Sequence, residues 1–276
     1  MGKATLHDHC RAILEAPGLE AKLAPPPDGL RDEVRPPHRV DRPAREPALA
    51  LAAGAPPLPR PSQLGDREAR AACLARFAHH ELMTVELFAW ALLRWPDLPA
   101  DLRRGWLAIL ADEQRHCRLY LGRLAAHGSP LSRHPCSGYF WRQADAIAAA
   151  PAGPMAFLAA MGLTLEQANL DFTLLYRDGF REGGDEASAR VCQAVHDDEI
   201  RHVAFARAWL LRLAPEAASD LDAYAAHVPF PLSPARAKGR RFDAEARRRA
   251  GLSDALIEAV RGARSSQETR PKGPAA

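Results

Sequence analysis

Two stretches of the 276-residue chain carry the same five-residue pattern, D-E-x-R-H, at positions 112–116 and 198–202. Each contains a glutamate and a histidine three residues apart. In a helix, side chains at this spacing lie on one face, so each pattern would present a carboxylate and an imidazole in the same direction. Both groups bind metal ions. With 16 Glu and 11 His in the chain, a single E-x-x-H carries little information, whereas two copies inside one longer pattern indicate a shared site.

Four long helices are predicted to position these patterns. Proline and glycine mark their ends, at about residues 67–94, 100–128, 154–182 and 185–214. The first and third connections are short, and the middle one is a crossover of about 25 residues with a short helical piece near residues 139–149. Long helices joined by short, long and short connections are the layout of a ferritin-like four-helix bundle with one crossover.

The composition also favours an all-α fold. Val, Ile and Thr together make up 18 of the 276 residues, and these are the residues that fit a pleated sheet. Ala, Leu, Arg and Glu, which favour helices, take their place. The composition therefore argues strongly against a sheet-based core, and smaller helices are expected near residues 5–15, 216–227 and 243–260.

The positions of the turns identify the remaining ligands. Dimetal sites in ferritin-like bundles add one Glu from each of the two helices that lack E-x-x-H. Glu113 and Glu81 are equally far from the first turn, near residue 97, one after it and the other before it. Glu199 follows the second turn, near residue 183, by the same distance, and Glu166 precedes that turn by one position more. Glu86 would sit ~7 Å too close to the turn and ~140° around the helix.

The predicted metal ligands are thus four glutamates and two histidines: Glu81, Glu113, His116, Glu166, Glu199 and His202. Apolar neighbours surround the lone glutamates, and a carboxylate among apolar side chains needs a partner to be buried. The alternative is a set of salt-bridged surface carboxylates with two helix histidines.

Other residues beside the ligands could tune the site. Asp112 and Asp198 each precede a ligand glutamate and could orient the histidine of the other motif through its second ring nitrogen. The alternative is that they are ordinary helix charges. Tyr120 shares a helix face with the first motif and is a candidate catalytic residue, the alternative being a core tyrosine. His80 and His196 are weaker candidates for a seventh ligand.

Several stretches resemble one known family. They are residues 78–82 (AHHEL), the two D-E-x-R-H patterns, residues 164–171 (TLEQANLD) and residues 229–251. Over about residues 60–260, the chain resembles an uncharacterised bacterial ferritin-like family, known as a domain of unknown function. The resemblance implies the ferritin-like fold and a di-iron ligand set on the same six residues. It implies no particular substrate.

Four glutamates and two histidines form a hard, anionic site that suits paired iron better than zinc or copper, with manganese or a mixed Mn/Fe pair as the alternative. Two ferrous ions can each give an electron to O2. The leading hypothesis is therefore a non-haem di-iron oxidase or monooxygenase that acts on a small organic substrate and draws on an external electron donor. The alternative is a ferritin-like protein that stores iron or detoxifies peroxide without an organic substrate. A homodimer is compatible with the sequence.

Proline usage and helix signals divide the chain into four segments. Twelve of the 24 prolines lie in residues 1–61, which indicates a Pro-rich N-terminal arm over residues 1–65 with one short helix. This arm either wraps something or acts as a linker. The bundle follows over residues 66–214, then a helical C-terminal extension over residues 215–260 and a disordered tail over residues 261–276.

Charge and cysteine content set the expected partners and compartment. Residues 235–276 hold 11 basic and 5 acidic residues, so the net charge of +3 comes from this end of the chain. The rest is slightly acidic, and no nucleic-acid partner is expected. Five cysteines without a CxxC pair argue against disulfides and thiolate metal sites. With neither a signal peptide nor a membrane span in the sequence, a cytoplasmic protein is expected.

Overall fold

The computed structural model describes residues 4–264, and helices account for 66% of these residues. Within the described residues, strands are limited to β1 (Leu51–Ala52) and β2 (Cys136–Ser137), which pair in parallel. The predicted all-α class is confirmed. Among the helices of this part of the chain, none combines the length and apolarity needed to cross a bilayer. In chain order the helices are α1 (Leu6–Glu15), α2 (Leu19–Leu23), α3 (Arg67–Arg94), α4 (Ala100–Ala126), α5 (Ala144–Ala149), α6 (Gly153–Phe157), α7 (Gln167–Glu182), α8 (Glu186–Leu213), α9 (Asp220–His227), α10 (Ala244–Arg249) and α11 (Asp254–Gly262).

The long helices end where the sequence marks their ends. Asp66 caps α3, since its carboxylate accepts a backbone N–H three residues on at 2.8 Å. The same helix ends at Arg94, just before Pro96, which cannot continue it. Gly184 follows α7 with φ of 82°, a left-handed conformation that favours glycine. Asp185 then caps α8 through a backbone N–H at 3.0 Å.

The chain divides into two compact units. The first comprises the residues up to Asp145 together with Tyr176–Val195. The second comprises Ala146–Leu175 together with the residues from His196 onward. The N-terminal arm therefore belongs to the first unit and the C-terminal extension to the second, while α7 and α8 contribute residues to both.

In the first unit, the Pro-rich arm lies along the hairpin formed by α3 and α4. The indole N–H of Trp90, on α3, donates to the backbone oxygen of Val40 at 3.1 Å. Arg103, on α4, is buried and binds the carboxylate of Asp32 through both Nε and a terminal nitrogen. These contacts fix an otherwise extended segment, so the arm wraps the hairpin and does not act as a free linker.

In the second unit, the predicted third helix is interrupted by a π-helical segment, Leu158–Glu166, between α6 and α7. Thr164 donates its hydroxyl proton to the backbone oxygen of Ala159, five residues earlier, at 2.8 Å. A side-chain carbon at Gly162 would overlap the Cβ of Ala206, so α8 lies against bare backbone here. The sequence predicts a regular α-helix over this stretch. The π-helical turn accompanies the tertiary contact between Gly162 and Ala206, which a local sequence pattern does not reveal.

The C-terminal extension also belongs to the second unit and is held by a buried ion pair. Arg247 binds Asp171 of α7 through two nitrogens, at 2.7 and 3.0 Å, and both side chains are fully buried. The guanidinium of Arg247 also lies 4.0 Å from the ring centroid of Phe242. Helix α11 extends to Gly262, and residues 265–276 of the predicted disordered tail lie outside the described residues.

Candidate metal centre

Three of the predicted ligands lie together in the first unit. Glu81 is on α3, and Glu113 and His116 are on α4; one ligand atom from each lies within 4.8 Å of those of the other two. Glu113 Oε2 is 3.5 Å from His116 Nδ1. All three are buried, with at most 5% of their surface exposed. We refer to these residues as the first triad.

The pairing of α3 with α4 explains why Glu81 joins this triad. The two helices are joined by residues 95–99 and pack against each other along their length. At the level of the triad, the thiol of Cys117 donates to the backbone oxygen of Ala78 at 3.3 Å. Ala78 is three residues before Glu81, and Cys117 directly follows His116, so this contact fixes the two ligand-bearing faces at the same height.

Glu86 lies outside the triad, on the opposite side of α3. Its carboxylate is 3.0 Å from the Lys22 ammonium and 2.8 Å from both the Arg45 guanidinium and the Trp141 indole N–H. Burial lowers the pKa of Lys22, and the charge and hydrogen bond of Glu86 oppose that shift. Because successive residues of an α-helix are rotated by about 100°, Glu86 faces away from the triad. On that side of α3 it anchors the N-terminal arm.

The other three predicted ligands lie together in the second unit. Glu166 is the last residue of the π-helical segment, and Glu199 and His202 are on α8. One ligand atom from each lies within 4.8 Å of those of the other two. Glu199 Oε2 is 3.5 Å from His202 Nδ1, the same separation as in the first unit. At most 3% of each side chain's surface is exposed. We refer to these residues as the second triad.

The second unit also places an amide beside its triad. Asn169 Nδ2 donates to Glu199 Oε1 at 3.0 Å. Asn169 follows Glu166 by three residues, so both side chains project from the same side of one helix. Asn169 is not among the residues predicted from the sequence, although the i, i+3 spacing that identified the E-x-x-H pairs also relates it to Glu166.

The donor atoms of both triads suit a divalent metal ion. Each triad combines two carboxylates with one imidazole and has a formal charge of −2 when the carboxylates are ionised and the imidazole is neutral. Burying such charge costs several kcal/mol unless a cation or good hydrogen bonds balance it. Carboxylate oxygens and imidazole nitrogens are ligands that Fe(II) and Mn(II) accept. One divalent ion for each triad would neutralise the excess charge.

The two aspartates of the D-E-x-R-H patterns pair with the arginines of their own motifs. Asp112 lies 3.0 Å from Arg115, and both side chains are partly exposed. Asp198 pairs with Arg201 in the same way and is the more buried aspartate. These contacts link residues three apart on a helix surface. The role predicted for both aspartates, orienting a histidine of the other motif, stays a prediction.

Tyr120 is buried in the core of the first unit. Its ring centroid lies 5.4 Å from that of Phe77, which in turn lies 5.0 Å from that of Tyr176. Only 2% of the Tyr120 surface is exposed. Burial raises the pKa of the Cys192 thiol to about 12, and a hydrogen bond with Tyr120 opposes this shift. Cys192 is therefore protonated at neutral pH and packs as a small apolar residue, while a catalytic role for Tyr120 stays a prediction.

The two histidines considered as a seventh ligand make other contacts. His80 stacks on Phe140, with ring centroids 4.9 Å apart. His196 Nδ1 lies 3.2 Å from the hydroxyl of Thr173, and its Nε2 lies 4.0 Å from a carboxylate oxygen of Asp243. Among the described residues, neither histidine joins a triad.

Comparison with known proteins places the chain in one family. Among curated proteins and among solved structures, none shows a significant similarity to this chain. A family model described as "Protein of unknown function (DUF455)" matches residues 3–258. The match includes the N-terminal arm, which lies outside the stretch on which the sequence resemblance was based. Since it covers most of the chain, the protein belongs to this uncharacterised family.

Proposed function

We propose that the two triads together hold a pair of iron ions, and that the protein is a di-iron oxidoreductase. In this proposal it activates O2 to oxidise or hydroxylate a small organic substrate. The observation that carries it is the presence of two buried triads of the same composition, each with two Glu and one His. One triad alone would suit a mononuclear site, whereas a matched pair on four long helices suits a dimetal site.

The proposal includes a ferritin-like four-helix bundle formed by α3, α4, α7 with its preceding π-helical segment, and α8. Its support is the order of long helices and connections, with five residues between α3 and α4 and three between α7 and α8. The E-x-x-H pairs lie on α4 and α8, the second helix of each hairpin. The lone glutamates lie on the first helix of each hairpin. This is the distribution of ligands that dimetal carboxylate bundles use.

Iron is favoured by the nature of the ligands. Four of the six ligands are carboxylates, which are hard donors, and neither triad contains a thiolate, which zinc and copper sites commonly use. Cys117, the cysteine that follows His116, donates its thiol proton to the backbone oxygen of Ala78 at 3.3 Å, and burial raises its pKa. Manganese accepts the same donors and is the alternative metal.

The residues of the chain would perform three tasks in such a reaction. The glutamates would hold the ions and balance their charge, and the histidines would fill further positions while leaving others open. The burial of all six side chains would keep bulk water from the reacting centre. When bound, a ferrous pair would supply two electrons for the reduction of O2, and an external donor would have to return them.

The reaction with oxygen distinguishes this function from iron storage. Full-length protein loaded anaerobically with Fe(II) is mixed with air-saturated buffer while O2 consumption and Fe(II) oxidation are followed. The proposal predicts rapid oxidation of the bound iron without growth of a mineral core when excess Fe(II) is supplied. Accumulation of many ions in each chain would indicate storage, and a ferrous protein inert to O2 would indicate a structural metal site.

A further inference from the structure

Asn169 makes a hydrogen bond to a glutamate of the second triad. Its Nδ2 lies 3.0 Å from Glu199 Oε1. An amide turned the other way would set its oxygen against a carboxylate oxygen, so the nitrogen is the atom that faces Glu199. A charge-assisted bond of this kind restrains rotation of the carboxylate.

The amide and the histidine of this triad lie at different oxygens of Glu199. Oε1 accepts the hydrogen bond from Asn169, whereas Oε2 lies 3.5 Å from His202 Nδ1. Restraint at Oε1 therefore keeps Oε2 directed toward the other ligands of the triad. Partners that orient a ligand in this way commonly alter metal affinity by about 10–100-fold.

The backbone that carries Asn169 is held by the C-terminal extension. Two residues further along α7, Asp171 binds Arg247 at 2.7 and 3.0 Å. The same carboxylate accepts the backbone N–H groups of Gly239 and Asp243 at 2.8 and 2.7 Å. Because Asp171 and Arg247 are fully buried, this ion pair limits movement of the helical turn from which Asn169 reaches Glu199.

The first triad has a different residue at the corresponding place. Three residues after Glu81 stands Thr84, where Asn169 stands three residues after Glu166. The hydroxyl of Thr84 donates to the backbone oxygen of His80, in its own helix, at 3.1 Å. A threonine that bonds to the preceding turn does not restrain a carboxylate on a neighbouring helix. The two triads thus contain the same residue types, and Thr84 provides the matched position for a control substitution.

We infer that Asn169 is a positioning residue that holds Glu199 ready to bind metal. Metal binds more tightly when Asn169 is present, because this ligand is then oriented in advance. This inference rests on the proposed function, since it requires that Glu199 is a metal ligand.

The test is a titration of full-length, metal-free protein with Mn(II) under anaerobic conditions. Electron paramagnetic resonance measures free Mn(II), and calorimetry measures the heat of each step. We expect the wild type to bind Mn(II). Asn169→Ala should weaken Mn(II) binding about 10–100-fold. Asn169→Gln, which keeps an amide donor, should recover part of the loss.

Thr84→Val is the matched control, since it changes the corresponding position in the first unit without changing side-chain volume. The Mn(II) titration of this variant should match that of the wild type. A serine side chain is too short to reach Glu199, so Asn169→Ser should behave like Asn169→Ala. This variant replaces the alanine variant in the titration if the latter does not fold. Circular dichroism and thermal unfolding of each metal-free variant monitor the fold.

Two results would overturn the inference: an Asn169→Ala titration that matches the wild type, or a Thr84→Val variant that loses as much Mn(II) affinity as Asn169→Ala. The second result would indicate a general effect of packing on metal binding. A wild-type protein that binds no Mn(II) and no Fe(II) would instead refute the proposed function. The two failures are therefore distinguishable.

Discussion

Glu81 and Glu86 lie five residues apart on α3 and have opposite environments. Glu81 lies with two other metal-ligand side chains, Glu113 and His116. Glu86 lies between two cations, Lys22 and Arg45. A buried acid needs a counter-charge in either place. For Glu86 the chain itself supplies that charge, whereas for Glu81 we propose that a metal ion supplies it.

Matched substitutions should separate these two roles. Glu81→Gln removes a ligand and should lower metal content sharply, without lowering the stability of the metal-free protein, because it also removes one of two neighbouring buried carboxylates. Glu86→Gln leaves Lys22 and Arg45 buried without their counter-charge and should cost about 3–5 kcal/mol of unfolding free energy. The metal content of the Glu86→Gln variant should stay normal at temperatures at which this variant remains folded.

Elemental analysis and urea unfolding of the metal-free proteins measure the two effects. If Glu86→Gln lost metal while it remained folded, and Glu81→Gln retained it, the assignment of ligands on α3 would be reversed. Equal losses of stability in both variants would contradict the difference in environment.

At the residue scale, the sequence predicted more of the site than of its surroundings. The spacing of the E-x-x-H pairs and the distance from each turn selected all six members of the two triads, because helix geometry converts sequence position into height and direction. The Arg247–Asp171 pair could not be found in this way, since its partners lie 76 residues apart in sequence. Asn169 could have been found from its spacing to Glu166.

The π-helical segment is the element whose geometry decides where Glu166 lies. Glu166 ends the segment, and the close approach at Gly162 brings α8 against it within the second unit. The π turn is wider than an α turn and shifts the rotation of every residue that follows. Local patterns predict the presence of a helix here but not its pitch, because the pitch depends on the contact with Ala206.

Substitution at Gly162 tests this packing. Gly162→Ala would place a methyl group where the Cβ of Ala206 already lies, and overpacking of this kind should cost about 1–3 kcal/mol of unfolding free energy. Gly122→Ala is the control, because a Cβ at that exposed position of α4 meets nothing within 4 Å. The control should raise stability by about 0.5–1 kcal/mol. Equal stability of the two variants in denaturant unfolding would contradict the close approach.

The terminal segments of the chain are fixed next to the ligand-bearing helices of their own units. In the first unit, Gln114, which follows Glu113, donates to the backbone oxygens of Lys22 and Ala24 in the arm, at 2.9 and 2.8 Å. In the second unit, the extension is held at Asp171, five residues after Glu166. Composition predicted both segments, but not their paths, since an extended Pro-rich chain has no periodicity that indicates what it contacts.

For the whole molecule, the proposed function requires a pair of bound metal ions. The direct measurement is the metal content of the full-length protein after anaerobic loading with Fe(II) or Mn(II), removal of loosely bound metal and elemental analysis. We expect about two ions per chain, and about one fewer when Glu166 and His202 are both replaced by alanine. A folded wild-type protein that retains close to no metal after loading with either ion would contradict the proposed function.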